Sequence, residues 1–360
     1  MGMLSGISRC CRRIYNPFRA FCLPVLSLTR SPGGRHMDWC SAFFSPVLEK
    51  CERGVYFVGV FCFILVLCGI SMVVGTYYIC VVPFLYATQH PLMFTLYVIY
   101  GHYILVMICF NYFSGVCTSP GKAPRPVNFD PNKDEVKKGW RICRTCKAPK
   151  PPRAHHCRIC NACVLKMDHH CPWMFNCIGH YNHRYFMMFI VSMWLGTLFV
   201  VNSGWSRIYV LLDIRSEFIQ SIVDTLGMRS SVILASEYPR GTSGEATMLC
   251  LQWFVCLGVI VALSILGGWN MFLISIGVNT IEFYTNKRDA REMKKEGRVF
   301  VNPYYYGVVT NWVVFLGLLE GRSFFRHILL PSWHKPTSDG MDWSKDAVFR
   351  YKDKMRTIPV

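Results

Sequence analysis

The apolar positions of this chain fall into long unbroken blocks rather than short periodic runs. Four blocks, 54–79, 92–117, 184–205 and 249–276, are long and apolar enough to cross a bilayer as helices, since a hydrocarbon core takes about 20 residues of helix. The first and fourth are almost free of charge, His102 interrupts the second, and Asn202 lies near the end of the third. Between the second and third blocks the pattern turns polar. Residues 119–134, rich in Pro, Lys and Asn, read as a linker. The pattern predicts an α-helical polytopic membrane protein with four transmembrane helices, no internal repeats, and a loop-rich module between the second and third.

Charge orients that plan. The 360 residues are 52% hydrophobic and 17% charged with a net charge of +18, odd for a soluble domain and ordinary for a membrane protein with basic cytosolic faces. Lys and Arg gather before the first block, between the second and third, and after the fourth. The loop 81–91 has none, and the loop 206–248 offsets Arg207, Arg215, Arg229 and Arg240 with Asp213, Glu217, Asp224, Glu237 and Glu245. The positive-inside rule then predicts a cytosolic N-terminal region 1–53, helices 1 and 2 over 54–117, and a cytosolic module over 118–183. Helices 3 and 4 follow over 184–277 with a lumenal loop at about 206–248, and 278–360 is a cytosolic C-terminal region. The N-terminus offers no secretory signal, being broken by Pro17, Pro24 and Pro32. Gly6 stands where a myristoylation start wants Ser or Thr. Cys10 and Cys11, among Arg9, Arg12 and Arg13, suit either a peripheral membrane contact or a plain basic tail.

Cysteines clustered on a reducing, cytosolic face point to metal or to chemistry rather than to disulfides. Cys143, Cys146, Cys157, Cys160, Cys163, Cys171 and Cys177 lie in one stretch with His155, His156, His169 and His170. Cys143-x-x-Cys146 and Cys157-x-x-Cys160 have zinc-knuckle spacing. Two closed tetrahedral sites take eight ligands, which six cysteines with His156 and His170 supply. Pro149, Pro151 and Pro152 leave the loop little regular structure, so metal must hold it together. Cys171 is left over, two residues from His169 and three from Asp168. A thiol in that company reads as a nucleophile.

The run Cys143-x-x-Cys146, Lys150-Pro151, Arg153, His156-Cys157, Cys160, Cys163, Asp168-His169-His170-Cys171, Trp173, Asn176-Cys177, Gly179 and Asn182 resembles the DHHC cysteine-rich domain of protein S-acyltransferases. Its place between the second and third of four spans is also that of the family. The resemblance implies a protein-cysteine S-palmitoyltransferase. Cys171 would take a long-chain acyl group from acyl-CoA and pass it to cysteines of membrane-associated proteins. His169 is the implied base and Asp168 its orienting carboxylate. Two structural zinc ions are expected, one on Cys143, Cys146, His156 and Cys163, the other on Cys157, Cys160, His170 and Cys177. The family's Thr-Thr-x-Glu reads Asn279-Thr280-Ile281-Glu282 here, with Thr280 expected to contact Asp168, and its Asp-Pro-Gly reads Ser119-Pro120-Gly121. Asn302, with Tyr304, Tyr305 and Tyr306 before Gly307 and Asn311, resembles the C-terminal motif and is expected to brace the catalytic loop.

Trp173 is expected at the mouth of an apolar slot for the acyl chain. Arg141, Lys150, Arg153 and His155 are candidates for the CoA phosphates, with attraction to anionic lipid as the alternative. A nucleic-acid-binding role conflicts with a zinc loop held between two spans and lacking a recognition helix. An inactive zinc-bearing scaffold would have no use for the complete catalytic set, and a transporter would want paired ionisable residues at the midplane. The span lengths favour an endoplasmic reticulum or Golgi membrane.

Overall fold

The computed structural model describes residues 39–124, 139–211, 225, 241–319 and 321–344. The expectations for the basic N-terminal cysteines, for most of the linker and of the loop 206–248, and for the end of the C-terminal region fall outside those residues.

Among the described residues, four helical stretches are long and apolar enough to cross a membrane: Phe57–Thr88, Pro91–Cys117, His183–Leu211 and Ser243–Ser275. The first is composite. Helix α1 (Trp39–Thr76) passes through a π-helical turn, Tyr77–Val81, into α2 (Val82–Thr88). Pro83 stands at the start of α2. Its ring removes a donor and crowds the turn before it, and the wider π turn absorbs both effects without ending the helix. The connection expected over 81–91 therefore shrinks to Gln89 and His90. Helix α3 (Pro91–Cys117) opens with Pro91, and the His90 ring accepts from the Leu92 N–H at 3.3 Å. Helix α4 (His183–Leu211) and helix α5 (Ser243–Ser275) complete the set, the latter capped by Thr242, whose Oγ1 accepts from the Glu245 N–H.

Helix α4 is the central one: half of its most apolar stretch is buried, against 11–17% in the other three. Gly196 lets it close on α3, because a Cβ there would lie 2.8 Å from Ile108 Cδ1. At the end of α4 farthest from the cysteine-rich module, buried Arg207 reaches Glu245 of α5 at 2.5 Å.

The module between α3 and α4 contains three antiparallel hairpins: β1 (Arg141–Ile142) with β2 (Pro149–Lys150), β3 (His155–Cys157) with β4 (Ala162–Val164), and β5 (His169–Cys171) with β6 (Asn176–Ile178). Pairs of two or three residues cannot stand alone. The third hairpin leans on the spans, where Cys171, Met174 and Ile178 share one buried cluster with Ile108, Tyr112 and Phe186.

Beyond α5 the chain turns at Gly277 (φ +74), where a side chain would strike the backbone of Tyr304. It then forms α6 (Thr280–Lys295) and α7 (Val308–Leu316). Asn302 Nδ2 donates to Ile276 O and Asn311 Nδ2 to Ser275 O, both at 2.9 Å. Two amides thus satisfy carbonyls that the end of α5 leaves without helical partners.

Candidate active site

Each Cys-x-x-Cys turn is closed by an amide on a sulfur: Cys146 N–H on Cys143 Sγ and Cys160 N–H on Cys157 Sγ, both 3.4 Å. The residue after each turn, Lys147 (φ 52) or Asn161 (φ 45), is left-handed and sends the chain back. Hairpin register supplies the remaining ligands, since His156 lies opposite Cys163 and His170 opposite Cys177. Two quartets result, Cys143, Cys146, His156, Cys163 and Cys157, Cys160, His170, Cys177, with the donor atoms of each within 4.8 Å of one another. Each quartet could hold a metal ion. Burial, then the neighbouring sulfurs of Cys143 and Cys146, push the Cys163 thiol up to about 12. A dication relieves that crowding, and three thiolates with one imidazole in a closed set suit zinc.

The period of two along β5 separates metal ligand from chemistry. His170 faces its quartet, while His169 and Cys171 share the other face. Cys171 is buried above the spans. His169 Nδ1 donates to Asp168 Oδ2 at 2.6 Å, its side chain 33% exposed against 1% for the carboxylate. Asp168 Oδ1 accepts the Thr280 backbone N–H, also at 2.6 Å. Thr280 is the first residue of α6, so this is one of the helix's free N-terminal donors, and the positive end of the helix faces a carboxylate. Burial opposes ionisation of Asp168, yet the hydrogen bond from His169, the charges of His183 and His169, and the Thr280 amide hold it well below the usual carboxylate range. For His169, burial also opposes the charge, but hydrogen bonds to Asp168 and to the Cys171 thiol raise it to about 9.

The expected partner of Asp168 is therefore in place through its amide rather than its hydroxyl. Asn279 N-caps α6 in a capping box: its Oδ1 accepts the Glu282 N–H at 2.8 Å, and Glu282 Oε2 accepts the Asn279 N–H at 2.9 Å. The same carboxylate takes Arg153 Nε and Nη2, each at 2.6 Å. Arg153 Nη2 also donates to Gly277 O, and its guanidinium lies 4.4 Å from the Tyr304 ring and 4.5 Å from the Trp343 ring. Of the four residues expected to meet CoA phosphates, Arg153 is buried with its charge matched by Glu282, whereas Arg141 is exposed and Lys150 and His155 half-buried.

Asn302 braces the end of α5, one step removed from β5. Asn176 does the nearer bracing. Its Nδ2 donates to Gly115, Val116 and Thr118 carbonyls at 2.9–3.1 Å, tying the strand opposite Cys171 to the end of α3. Only its place beside Cys177 in the motif hinted at this. Trp173, 48% exposed, lies on the rim of a cavity of about 890 Å³ that runs between the spans past Leu105, Ile108, Gly196 and Phe199 to Tyr77.

Four apolar helices around an apolar cavity, carrying a buried thiol beside two Cys/His quartets, define the class as a membrane-embedded acyltransferase. The family described as DHHC palmitoyltransferase matches residues 136–287. The chain is 37% identical to mouse palmitoyltransferase ZDHHC16 over 84% of its own length and 78% of that protein's. It is 37% identical to the human ZDHHC16 over 84% and 79%, and 32% identical to zebrafish ZDHHC16A over 84% and 82%. The chain belongs to the DHHC palmitoyltransferase family.

Proposed function

We propose that this protein S-palmitoyltransferase works through an acyl-enzyme on Cys171. The observation that carries the reading is His169, bonded through Nδ1 to the Asp168 carboxylate at 2.6 Å and set on the same face of β5 as the Cys171 thiol. A free thiol is only a few per cent ionised at neutral pH, and His169, raised to about 9, holds the thiol proton there while Asp168 stabilises the imidazolium. The sulfur attacks the thioester carbonyl of a long-chain acyl-CoA, the carbon–sulfur bond to CoA breaks, and the proton on His169 passes to the departing CoA sulfur. In the second half, a cysteine of a membrane-associated protein gives its proton to His169 and attacks the acyl-enzyme. Cys171 leaves and is reprotonated.

Zinc on the two quartets is structural in this reading, because four protein donors leave no open position, and it fixes the backbone on both sides of Cys171 through His170 and Cys177. The acyl chain lies in the apolar cavity, where burial stabilises by about 0.8 kcal/mol per methylene. Arg141, Lys150 and His155 meet the CoA phosphates, and Arg153 instead ties the module to α6. The module and both ends of the chain face the cytosol of an endoplasmic reticulum or Golgi membrane, in keeping with the basic loops on that side.

The test is acyl transfer from labelled palmitoyl-CoA to the purified protein, with Cys171→Ser and His169→Ala alongside and zinc measured on each. Label is expected on the unaltered protein, absent from Cys171→Ser and strongly reduced in His169→Ala, with two zinc ions per chain throughout. Equal labelling of Cys171→Ser would move the acyl group to another cysteine and end this mechanism.

A further inference from the structure

Past α7 the chain makes an excursion that none of the catalytic parts uses. Its two ends lie together: Arg322 Nη1 donates to Gly317 O at 2.9 Å and to Lys335 O at 2.7 Å, and the His334 ring lies 2.8 Å from Leu316 O. That junction sits beside the first turn of α4, where Arg184 Nη2 donates to the carbonyls of Ser332 and His334. From there the chain descends along the outside of α3. Trp333 packs on Phe110 with ring centroids 5.1 Å apart and donates to Ser114 Oγ at 3.2 Å. Leu329 O accepts from Tyr103 Oη at 2.8 Å. Ser114 and Tyr103 are separated by roughly 16 Å of helix, about half the thickness of a hydrocarbon core.

The surface of the excursion matches that depth. Phe325 is 74% exposed, Trp333 60% and Leu330 53%. They continue a stripe of exposed apolar residues on α3 formed by Ile99, Val106 and Phe113. An aromatic patch of this kind is costly in water and ordinary against lipid. Backbone that enters a membrane without being helical must find partners in protein. Here Tyr103 serves Leu329 O, Arg184 and Tyr185 serve Ser332 O, and His327 of the π-helical turn Phe325–Leu329 donates its N–H to Ser323 O. Arg326 is exposed, and its long stem lets the charge reach the headgroups.

We propose that residues 323–333 form a re-entrant loop embedded in the leaflet on the module side, seated against α3 with its aromatic face toward the lipid acyl chains. The four spans are then not the only part of the chain inside the bilayer, and the C-terminal region is anchored there independently of the zinc module.

The experiment places a small fluorescent amino acid at position 325 of the full chain in lipid nanodiscs. A second protein carries it at Val299, which is 83% exposed between α6 and α7. Phospholipids brominated midway along their acyl chains should quench the label at 325 several-fold more than at 299, and aqueous iodide should show the reverse order. Zinc content and acyl-enzyme formation report that both proteins are folded. Bromolipid quenching at 325 no stronger than at 299 would overturn the proposal. So would protection of 325 from iodide and bromolipid together, which would mean that protein, not lipid, covers the loop.

Discussion

Replacing Glu282 with Leu should loosen the whole zinc module, although Glu282 touches no ligand and no substrate. Its side chain is 7% exposed and that of Arg153 4%, so Glu282→Leu leaves a guanidinium in the interior against Gly277 O and the rings of Tyr304 and Trp343, without its carboxylate. Removing one member of a buried pair costs about 3–5 kcal/mol. Loss of the return bond to the Asn279 N–H adds about 1 kcal/mol. If zinc escapes when the module opens locally, its release to an excess of chelator should speed up by roughly three to four powers of ten, read with a coloured metal indicator. The double variant Arg153→Met/Glu282→Leu removes both charges and fills the space with apolar groups, a change that is often close to neutral. It should recover most of the lost retention, falling short by the missing cap. Release from Glu282→Leu within about threefold of the unaltered protein would place the pair among exchanges without consequence. Release from the double variant as fast as from the single one would show that stacking of Arg153 on Tyr304 and Trp343, rather than charge balance, is what matters.

Lys166 gives a pH dependence. Its amine lies 5.6 Å from the Phe315 ring and 5.3 Å from the Trp343 ring, and burial, followed by the charge of Arg153, lowers it to about 7 against the partial support of Glu282 and Asp168. His180 and His183 also face it. In the unfolded chain the amine keeps its proton to about 10.4. Between these values the unfolded state binds more protons, so stability rises with pH. Lys166→Met should therefore stabilise most near pH 7 and least toward pH 9, and parallel melting temperatures for the two proteins would refute the assignment. Gly179→Ala puts a Cβ 2.8 Å from Pro120 O and 2.9 Å from Leu165 O, backbone atoms that cannot yield, and should cost about 1–3 kcal/mol with lowered zinc content at purification. Asp168→Asn can still accept from Thr280 but loses its charge. Acyl-enzyme formation should fall by about 10²–10⁴ with both metals retained, and a loss under tenfold would remove Asp168 from the mechanism.

The spans were legible because hydropathy acts locally, and the second span matches within a residue of either end (92–117 against Pro91–Cys117). The first runs past its expected end at 79, because the π turn before Pro83 lets the helix continue to Thr88. The two Cys/His quartets that could hold metal were legible because a tetrahedral site asks for a set spacing and number, and hairpin register puts His156 opposite Cys163 and His170 opposite Cys177. Arg153 was not legible. In a basic stretch it resembles Lys150, and only a carboxylate 129 positions away takes it out of solvent. The loop at 323–333 was missed for a related reason, since its apolar residues are too few to register as a span and its depth comes from Tyr103, which is 226 positions from Leu329.

Asn279 illustrates what this active site requires of its sequence. The family's pattern has Thr there, yet Asn is at least as good an N-cap, and the capping box is complete with it. What the third hairpin receives from α6 is an amide, the Thr280 N–H on Asp168. That amide is positioned by the cap and by Glu282 rather than by any particular hydroxyl. The exchange carries one cost, because the buried Asn279 Nδ2 meets no acceptor among the described residues, and an unpaired buried donor costs about 1–3 kcal/mol. Glu282 offsets this by acting twice, closing the cap through the Asn279 N–H and holding Arg153 of the zinc module. Helix end, carboxylate and module are thus fixed by one side chain. With Asn at 279 the geometry is kept, because Glu282 and the amide of Thr280, not the cap's identity, hold Asp168 and through it His169.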